Sequence, residues 1–223
     1  MSLARYIDHT LLKQTATLTD IDRLCQEANT YGFAAVCITP IYLQQSTQQL
    51  TQSQVKVATV ISFPFGYSTI RTKCSEAEQA IEHGAHELDI VMNLCALKNG
   101  DDHYLEQEIE SILTITRKPK TVVKVIIESG ILSEGEIVRC CEIYKNFPIQ
   151  FLKTSTGYAE KGASIEAVQL MRKNLPSHIG IKASGGIKTA DFAQTLINAG
   201  ATRLGCSASI AIVGGDGTIK TNY

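Results

Sequence analysis

The stretch "TVVKVIIESG", residues 121–130, decides the fold: it is almost continuously apolar and β-branched, then ends in polar and glycine residues. A strand with one solvated face alternates apolar and polar residues, so this run predicts a parallel strand covered by helices on both faces. Six further runs share its character. They span residues 34–40, 56–63, 87–93, 151–157, 178–186 and 203–209.

Helical patterns separate these runs, which begin 22 to 34 residues apart, the length of one strand-plus-helix unit. In the first pattern, Thr19 is the expected N-cap and Gly32 the expected stop signal. Ser133 and Glu136 have the spacing of a capping box. The last pattern is expected to end at Gly200. The alternation of strands and helices predicts an α/β fold.

An eighth short strand near "YIDHT", residues 6–10, would close the predicted sheet into a barrel. The alternative is an open doubly wound sheet, which usually carries a glycine-rich first turn of the form GxGxxG. That motif does not occur in this sequence. We therefore predict a single-domain (β/α)8 TIM barrel over residues 1–223, with a flexible C-terminal tail at 214–223.

The composition excludes several classes of partner. The chain has 21 basic and 22 acidic residues and a formal net charge of −1, so no nucleic-acid or anionic-membrane partner is expected. No stretch approaches the ~20 apolar residues of a membrane span, and the first residues do not resemble a signal peptide. Seven cysteines without CxxC spacing suit a reducing compartment. We expect a cytoplasmic protein.

Four successive predicted strands each carry one ionisable residue within the apolar run: Asp89, Lys124, Lys153 and Lys182. A charge directed at the helices would lie unsolvated in apolar packing. We therefore expect these side chains to point into the barrel near its carboxyl end, where enzymes of this architecture keep their chemistry. A structural ion-pair cluster is the alternative.

Lys153 and Lys182 lie on neighbouring predicted strands, which are ~4.8 Å apart. Two ammonium groups ~6 Å apart at an effective dielectric constant of ~20 repel by roughly 2.8 kcal/mol. This repulsion would lower the pKa of one amine and leave it partly neutral at physiological pH. A neutral lysine attacks carbonyl compounds and forms a Schiff base, and Asp89 would supply the carboxylate that handles protons.

Small and hydroxylated residues close the last three predicted strands, in "TSTG" (154–157), "ASGG" (183–186) and "GCSAS" (205–209). Glycine also makes ordinary turns, so one such segment carries little weight. Three neighbouring segments of this kind at the carboxyl end of a barrel resemble a recurrent phosphate site. The residues alone thus indicate a phosphorylated aldehyde or ketone as the substrate class.

The motifs "LDIVMN", "VKVIIESG", "FLKTSTGY", "GIKASGGIKT" and "RLGCSAS" resemble those of the deoxyribose-phosphate aldolases, a class I aldolase family. The resemblance extends from "IDHTLLK" to the end of the chain. It implies reversible cleavage of 2-deoxy-D-ribose 5-phosphate into acetaldehyde and D-glyceraldehyde 3-phosphate, in deoxyribose catabolism. It also implies no metal or organic cofactor, and a homodimer.

By motif position, the resemblance implies that Lys153 forms the Schiff base, that Lys182 lowers its pKa and relays protons, and that Asp89 donates and accepts protons. The residues implied at the substrate are Asp8, Cys37, Lys124, Thr154, Gly157, Gly185, Gly186, Gly205 and Ser207, the five last forming a phosphate cradle. For Cys37 a small core residue is the favoured alternative. The chain departs from the family at Tyr158, where some members have lysine, and at Lys188, where others have arginine.

The chain ends on Tyr223, and the resemblance implies that this tyrosine can fold over the active site as a proton shuttle. The alternative is an ordinary frayed terminus. Three rival functions remain open: another Schiff-base aldolase or transaldolase, a phosphosugar isomerase whose lysines act as electrophiles, and a non-catalytic sugar-phosphate sensor.

Overall fold

The computed structural model describes residues 2–117 and 120–214. Within them, eight parallel strands form a closed barrel in which each strand pairs with the next and the last pairs with the first. The strands are β1 (Ile7–Leu11), β2 (Ala35–Ile38), β3 (Lys56–Ile61), β4 (Glu87–Val91), β5 (Val122–Ile126), β6 (Phe151–Lys153), β7 (Gly180–Ser184) and β8 (Arg203–Cys206).

The helices alternate with these strands along the chain. They are α1 (Leu18–Tyr31), α2 (Leu43–Gln49), α3 (Ile70–Glu82), α4 (Leu94–Lys98), α5 (Asp102–Thr116), α6 (Glu134–Tyr144), α7 (Ile165–Asn174), α8 (Ala190–Asn198) and α9 (Ser209–Ile212). Short 3₁₀ helices cover Leu3–Tyr6, Pro40–Tyr42 and Ser129–Ile131. The predicted (β/α)8 barrel and its eight strands are confirmed, and the open sheet is excluded because β1 pairs with β8.

Helix boundaries agree with the sequence prediction except at the start of α1. Thr17, not Thr19, is its N-cap: the Thr17 hydroxyl accepts a hydrogen bond from the Asp20 N–H, and the Asp20 carboxylate accepts one from the Thr17 N–H. The prediction of Thr19 was wrong: Asp22 stands three positions after Thr19 as well, but the helix begins at Leu18, so Thr19 lies inside it and the reciprocal pair forms between Thr17 and Asp20. Gly32 ends the helix with a φ of 67°, as predicted.

Side chains alternate in direction along each strand, which separates the main apolar core, outside the barrel, from a charged interior. Leu88 and Ile90 on β4, and Val123 and Val125 on β5, belong to the core that packs against the helices. The residues between them therefore point into the barrel, because successive side chains of a strand face opposite ways. In the part of the chain that the structure describes, no helix has the length and apolar character needed to span a membrane.

Candidate active site

Seven charged residues from six strands meet inside the barrel, and we call this set the ion cluster. Its members are Asp8, Glu87, Asp89, Lys124, Lys153, Lys182 and Arg203. The prediction that the four in-strand charges point into the barrel is confirmed, since all four side chains are buried and ion-paired there.

Asp89 lies at the centre of the ion cluster. Its Oδ2 accepts hydrogen bonds from Lys153 Nζ at 2.6 Å and Lys182 Nζ at 2.7 Å, and its Oδ1 accepts one from Lys124 Nζ at 2.7 Å. Burial raises the pKa of this carboxyl, but the three ammonium groups more than compensate and hold the pKa well below its usual range. Asp89 is therefore an ionised carboxylate that contacts all three lysines directly.

Lys153 and Lys182 have opposite pKa shifts although both are buried. Burial lowers the pKa of Lys153 most, and the charge of Lys182 lowers it further, against the opposing effect of Asp89. Burial acts in the same direction on Lys182, but Asp8 and Asp89 outweigh it and raise the pKa of that amine. The repulsion expected from sequence is present, yet burial is the larger cause of the lowered Lys153 pKa.

Sequence reasoning missed two members of the ion cluster, Glu87 and Arg203. Glu87 Oε2 lies 2.6 Å from Lys124 Nζ, and Arg203 Nη1 lies 2.6 Å from Asp8 Oδ1 and 3.4 Å from Glu87 Oε2. One signal was available: Glu87 stands two positions before Asp89, so both side chains face the same side of β4. Arg203 gives no such signal, because its position depends on the pairing of β8 with β7.

A cavity of about 210 Å³ opens at the carboxyl ends of β1, β6, β7 and β8, and Lys153 lines it. The predicted cradle also lines this cavity: Gly157, Gly185, Gly186, Gly205 and Ser207. Two exposed lysines complete its rim, Lys13 after β1 and Lys188 after β7. Lys13 belongs to the quoted motif "IDHTLLK" but was given no role from sequence.

Four predicted substrate-binding residues do not line this cavity: Asp8, Cys37, Lys124 and Thr154. All four are fully buried. Asp8 and Lys124 are held within the ion cluster. The Thr154 hydroxyl accepts a hydrogen bond from the Ser184 N–H at 3.1 Å, so it joins the ends of β6 and β7. The geometry thus gives these residues supporting contacts beneath the cavity rather than contacts on its wall.

Cys37 packs beside Ala58 and Val60 inside the barrel, with its Sγ 4.0 Å from Asp89 Oδ2. Burial, and then the charge of Asp89, raises the pKa of this thiol, so it stays protonated at neutral pH. This environment fits the small core residue that sequence reasoning favoured. Cys37 lies too deep to line the cavity.

The backbones of the loops after β6 and β7 approach each other closely at the cradle. Gly185 has a φ of +85°, and a Cβ atom there would lie 3.0 Å from the Cα of Gly162 and 3.3 Å from that of Gly157. A Cβ on Gly162 would lie 2.3 Å from the carbonyl oxygen of Gly185. Glycine is therefore required at this contact on both loops, and sequence reasoning missed Gly162.

Tyr158 connects three loops at the cavity rim. Its hydroxyl donates a hydrogen bond to the Leu12 carbonyl at 2.7 Å, and its ring packs edge-on against Phe63 with centroids 5.3 Å apart. Tyr158 thus holds the loops after β1, β3 and β6 together.

Comparisons with known proteins agree with this geometry. The family model of the DeoC/LacD family aldolases matches residues 2–213. Deoxyribose-phosphate aldolase of Thermoanaerobacter sp. (strain X514) is 46% identical over 214 residues, covering 96% of each chain. That of Geobacillus sp. (strain WCH70) is 46% identical over 222 residues, covering 100% of this chain and 99% of the relative.

A solved structure agrees as well. The tetrameric deoxyribose phosphate aldolase from Aeropyrum pernix superimposes with a TM-score of 0.89 at 31% identity, covering 95% of this chain and 89% of that one. The fold, the family model and the relatives at 46% identity all indicate the same family of aldolases. This chain belongs to the DeoC/LacD family of aldolases.

Proposed function

We propose that this enzyme is a deoxyribose-phosphate aldolase, which reversibly cleaves 2-deoxy-D-ribose 5-phosphate into acetaldehyde and D-glyceraldehyde 3-phosphate in deoxyribose catabolism. One observation carries the proposal most directly: Lys153, a buried amine with a lowered pKa, faces a cavity bounded by a glycine cradle. The activity named for the relatives at 46% identity supports the same substrate.

The reaction begins with attack of the neutral Lys153 amine on C1 of the open-chain sugar aldehyde. The new N–C bond forms as the carbonyl π electrons move to oxygen, which takes up a proton. The amine then loses a proton and the hydroxyl leaves as water, which gives an iminium ion. Asp89 Oδ2, 2.6 Å from Lys153 Nζ, is placed to accept and return the amine proton.

Carbon–carbon cleavage then follows from the electron demand of the iminium. A base removes the proton of the C3 hydroxyl, the C2–C3 bond breaks, and its electron pair moves into the iminium to form an enamine. D-Glyceraldehyde 3-phosphate leaves with C3, C4 and C5. Protonation of the enamine at C2 and hydrolysis release acetaldehyde and regenerate the amine. The buried setting of Lys153 limits premature attack by water.

Lys182 has two roles in this proposal. Its ammonium group shares Asp89 Oδ2 with Lys153, so it weakens the pull of that carboxylate on the Lys153 proton. It also donates to both Asp89 and Asp8, which gives a path for protons between the amine and the interior of the barrel. Its raised pKa keeps it charged while Lys153 is neutral.

The substrate phosphate is assigned to the cradle formed by Gly157, Gly185, Gly186, Gly205 and Ser207. Backbone N–H groups in glycine-rich loops bind phosphate without side-chain hindrance. Lys13 and Lys188 at the rim add positive charge that favours a phosphorylated substrate. The cavity volume of about 210 Å³ lies below the roughly 300–1,000 Å³ typical of drug-sized ligands, which fits a small phosphosugar.

Three parts of the proposal rest on the family resemblance or on composition. Tyr223, the suggested proton shuttle, lies outside the described residues, as does the tail from 215 onward. A homodimer and a cytoplasmic location are also proposed. The Aeropyrum pernix relative is described as a tetramer, so light scattering of the purified enzyme decides between these assemblies.

Ser207→Asp tests the phosphate assignment. The new carboxylate would face the bound phosphate, so we expect KM for 2-deoxyribose 5-phosphate to rise by about tenfold or more, the scale of one lost charged interaction. Unphosphorylated deoxyribose should be affected much less. Ser207→Asn has nearly the same shape without the charge and should raise KM only slightly. Equal losses for both sugars in Ser207→Asp would place the phosphate elsewhere.

The proposed activity is tested by product analysis. Purified enzyme incubated with 2-deoxyribose 5-phosphate should release acetaldehyde and glyceraldehyde 3-phosphate in equal amounts, detected with separate dehydrogenases. The reverse reaction should consume both aldehydes. A different aldolase would form other products from its own donor, and an isomerase would convert the phosphosugar without release of acetaldehyde.

A further inference from the structure

The ion cluster carries more positive than negative groups. Among the described residues, its ion pairs join four basic side chains to three acidic ones. Six of the seven residues are at most 3% exposed, and the Arg203 side chain is 16% exposed. A net charge in such a setting is unfavourable because little water can solvate it. Loss of one proton would make the cluster neutral.

The contacts decide which member gives up that proton. Lys124 Nζ is ion-paired with Asp8, Glu87 and Asp89, and Lys182 Nζ with Asp8 and Asp89. Within the described part of the chain, the ion pairs of Lys153 Nζ go to one carboxylate, Asp89. The Lys153 ammonium is therefore the least compensated, and it alone of the three lysines lines the cavity.

Arg203 supplies the fourth positive charge without being able to release a proton, because a guanidinium remains charged at any working pH. Its Nη1 lies 2.6 Å from Asp8 Oδ1, and its guanidinium lies over the Phe151 ring, 5.3 Å from the centroid. Both contacts hold it at the amino end of the barrel, because Arg203 and Phe151 are the first residues of β8 and β6.

We propose that Arg203 is a positioning residue of the aldolase reaction: its charge, transmitted through Asp8 and Lys182, favours the neutral and therefore nucleophilic form of Lys153. Arg203 compensates one oxygen of Asp8 while Lys182 and Lys124 compensate the other. Without Arg203, Asp8 would hold Lys182 more strongly and leave Asp89 freer to retain the Lys153 proton. This inference rests on the proposed function of Lys153.

Among the described residues, the other ionisable groups near Lys153 form no ion pair with it. Cys37 on β2 and Cys206 on β8 have pKa values raised chiefly by burial, so both thiols are neutral near pH 7. Burial raises the pKa of Glu128, after β5, while hydrogen bonds from Thr156 and the charge of Lys153 oppose this shift; the Thr156 N–H donates to its carboxylate at 3.2 Å. His9 on β1 points away from the barrel interior, and its ring contacts Glu27 and Ser209 outside the barrel.

The test measures how reductive trapping of acetaldehyde at Lys153 depends on pH, with cyanoborohydride as reductant and peptide mass spectrometry as the readout. In Arg203→Met the cluster is neutral with Lys153 protonated, so the amine should hold its proton to higher pH. We expect the midpoint of the trapping profile to move to higher pH and the trapping rate near neutrality to fall by about tenfold, one pKa unit.

Glu87→Gln changes the charge in the opposite direction. It leaves two acidic groups against four basic ones, so the midpoint should move to lower pH. Combining Arg203→Met with Glu87→Gln restores an excess of one positive charge, and its midpoint should return towards that of the parent enzyme. If Arg203 had only a structural role, the double variant would instead combine the loss of trapping caused by Arg203→Met with any loss caused by Glu87→Gln.

Two controls separate charge from packing. Arg203→Lys keeps the charge and should keep the parent midpoint. Arg139→Met removes a surface arginine paired with Asp102 and should not move it. An unmoved midpoint in Arg203→Met, or a shift to higher pH in Glu87→Gln, overturns the inference. If Arg203→Met does not fold, Glu87→Gln alone decides it. Failure of the parent enzyme to be trapped at Lys153 would instead refute the proposed function.

Discussion

We expect Lys153→Met to lower kcat for cleavage of 2-deoxyribose 5-phosphate by at least about four orders of magnitude, because the covalent intermediate can no longer form. Folding should survive. Asp89 keeps its hydrogen bonds to Lys124 and Lys182 after the change, so no buried carboxylate loses all its partners. The measurement compares single-turnover rates with the parent enzyme and checks folding by thermal denaturation.

Two further variants show that the loss belongs to this amine. Lys153→Arg keeps a positive charge but remains protonated, so it should be as inactive as Lys153→Met. Lys98→Met removes a lysine that is paired with Glu136 at the surface, and it should retain parental activity. Substantial turnover in either Lys153 variant would mean that another nucleophile carries the reaction.

Lys182→Met should lower kcat/KM near neutrality by about two orders of magnitude, within the range for a lost acid–base group. Without this ammonium group, Lys153 is the one amine in the described part of the chain that still donates a hydrogen bond to Asp89 Oδ2. The change also removes a positive charge that lowers the Lys153 pKa. The Lys153 pKa therefore rises, and a larger fraction of the amine is protonated near pH 7. Activity should climb as the pH is raised through the new value.

The shape of the pH profile distinguishes this account from a damaged site. A profile that shifts to higher pH, with partial recovery of activity under alkaline conditions, agrees with a change in Lys153 ionisation. A uniform loss at every pH would mean that Lys182 serves only structure or proton transfer. An unshifted profile with full activity would assign control of the nucleophile to another group, such as Lys124.

The barrel could be predicted from sequence because its strands are covered on both faces. Runs such as 121–130 are too apolar for a half-exposed sheet, and their regular spacing leaves room for one helix each. The eighth strand, Ile7–Leu11, is short and contains Asp8 and His9, so it was recognised only because seven strands do not close the usual barrel. The cap of α1 was misplaced by two residues among three nearby threonines.

Part of the candidate site could also be predicted, for an energetic reason. Asp89, Lys153 and Lys182 interrupt apolar runs, and a buried charge needs a partner or a function. Glu87 and Arg203 could not be recognised in the same way, because the first position of a strand is often exposed. Their burial depends on how strands 116 residues apart in sequence are placed across the barrel.

The wall of the cavity was only partly predictable as well. Gly157 and Gly185 lie in conspicuous glycine-rich segments, but Gly162 does not, and its importance appears only where it touches Gly185. Lys13 and Tyr158 lie on loops whose paths are set by contacts between distant segments, such as the hydrogen bond from Tyr158 to Leu12. Residue patterns that repeat within a single strand or helix carry no information on contacts between loops far apart in sequence.

The central claim is that Lys153 is the nucleophile, and one measurement tests it most directly. The enzyme is incubated with acetaldehyde, reduced with borohydride, digested and mapped by mass spectrometry. We predict one ethyl group on Lys153 and loss of activity in proportion to labelling. Labelling confined to surface lysines such as Lys98, with Lys153 unmodified and activity intact, would contradict the account.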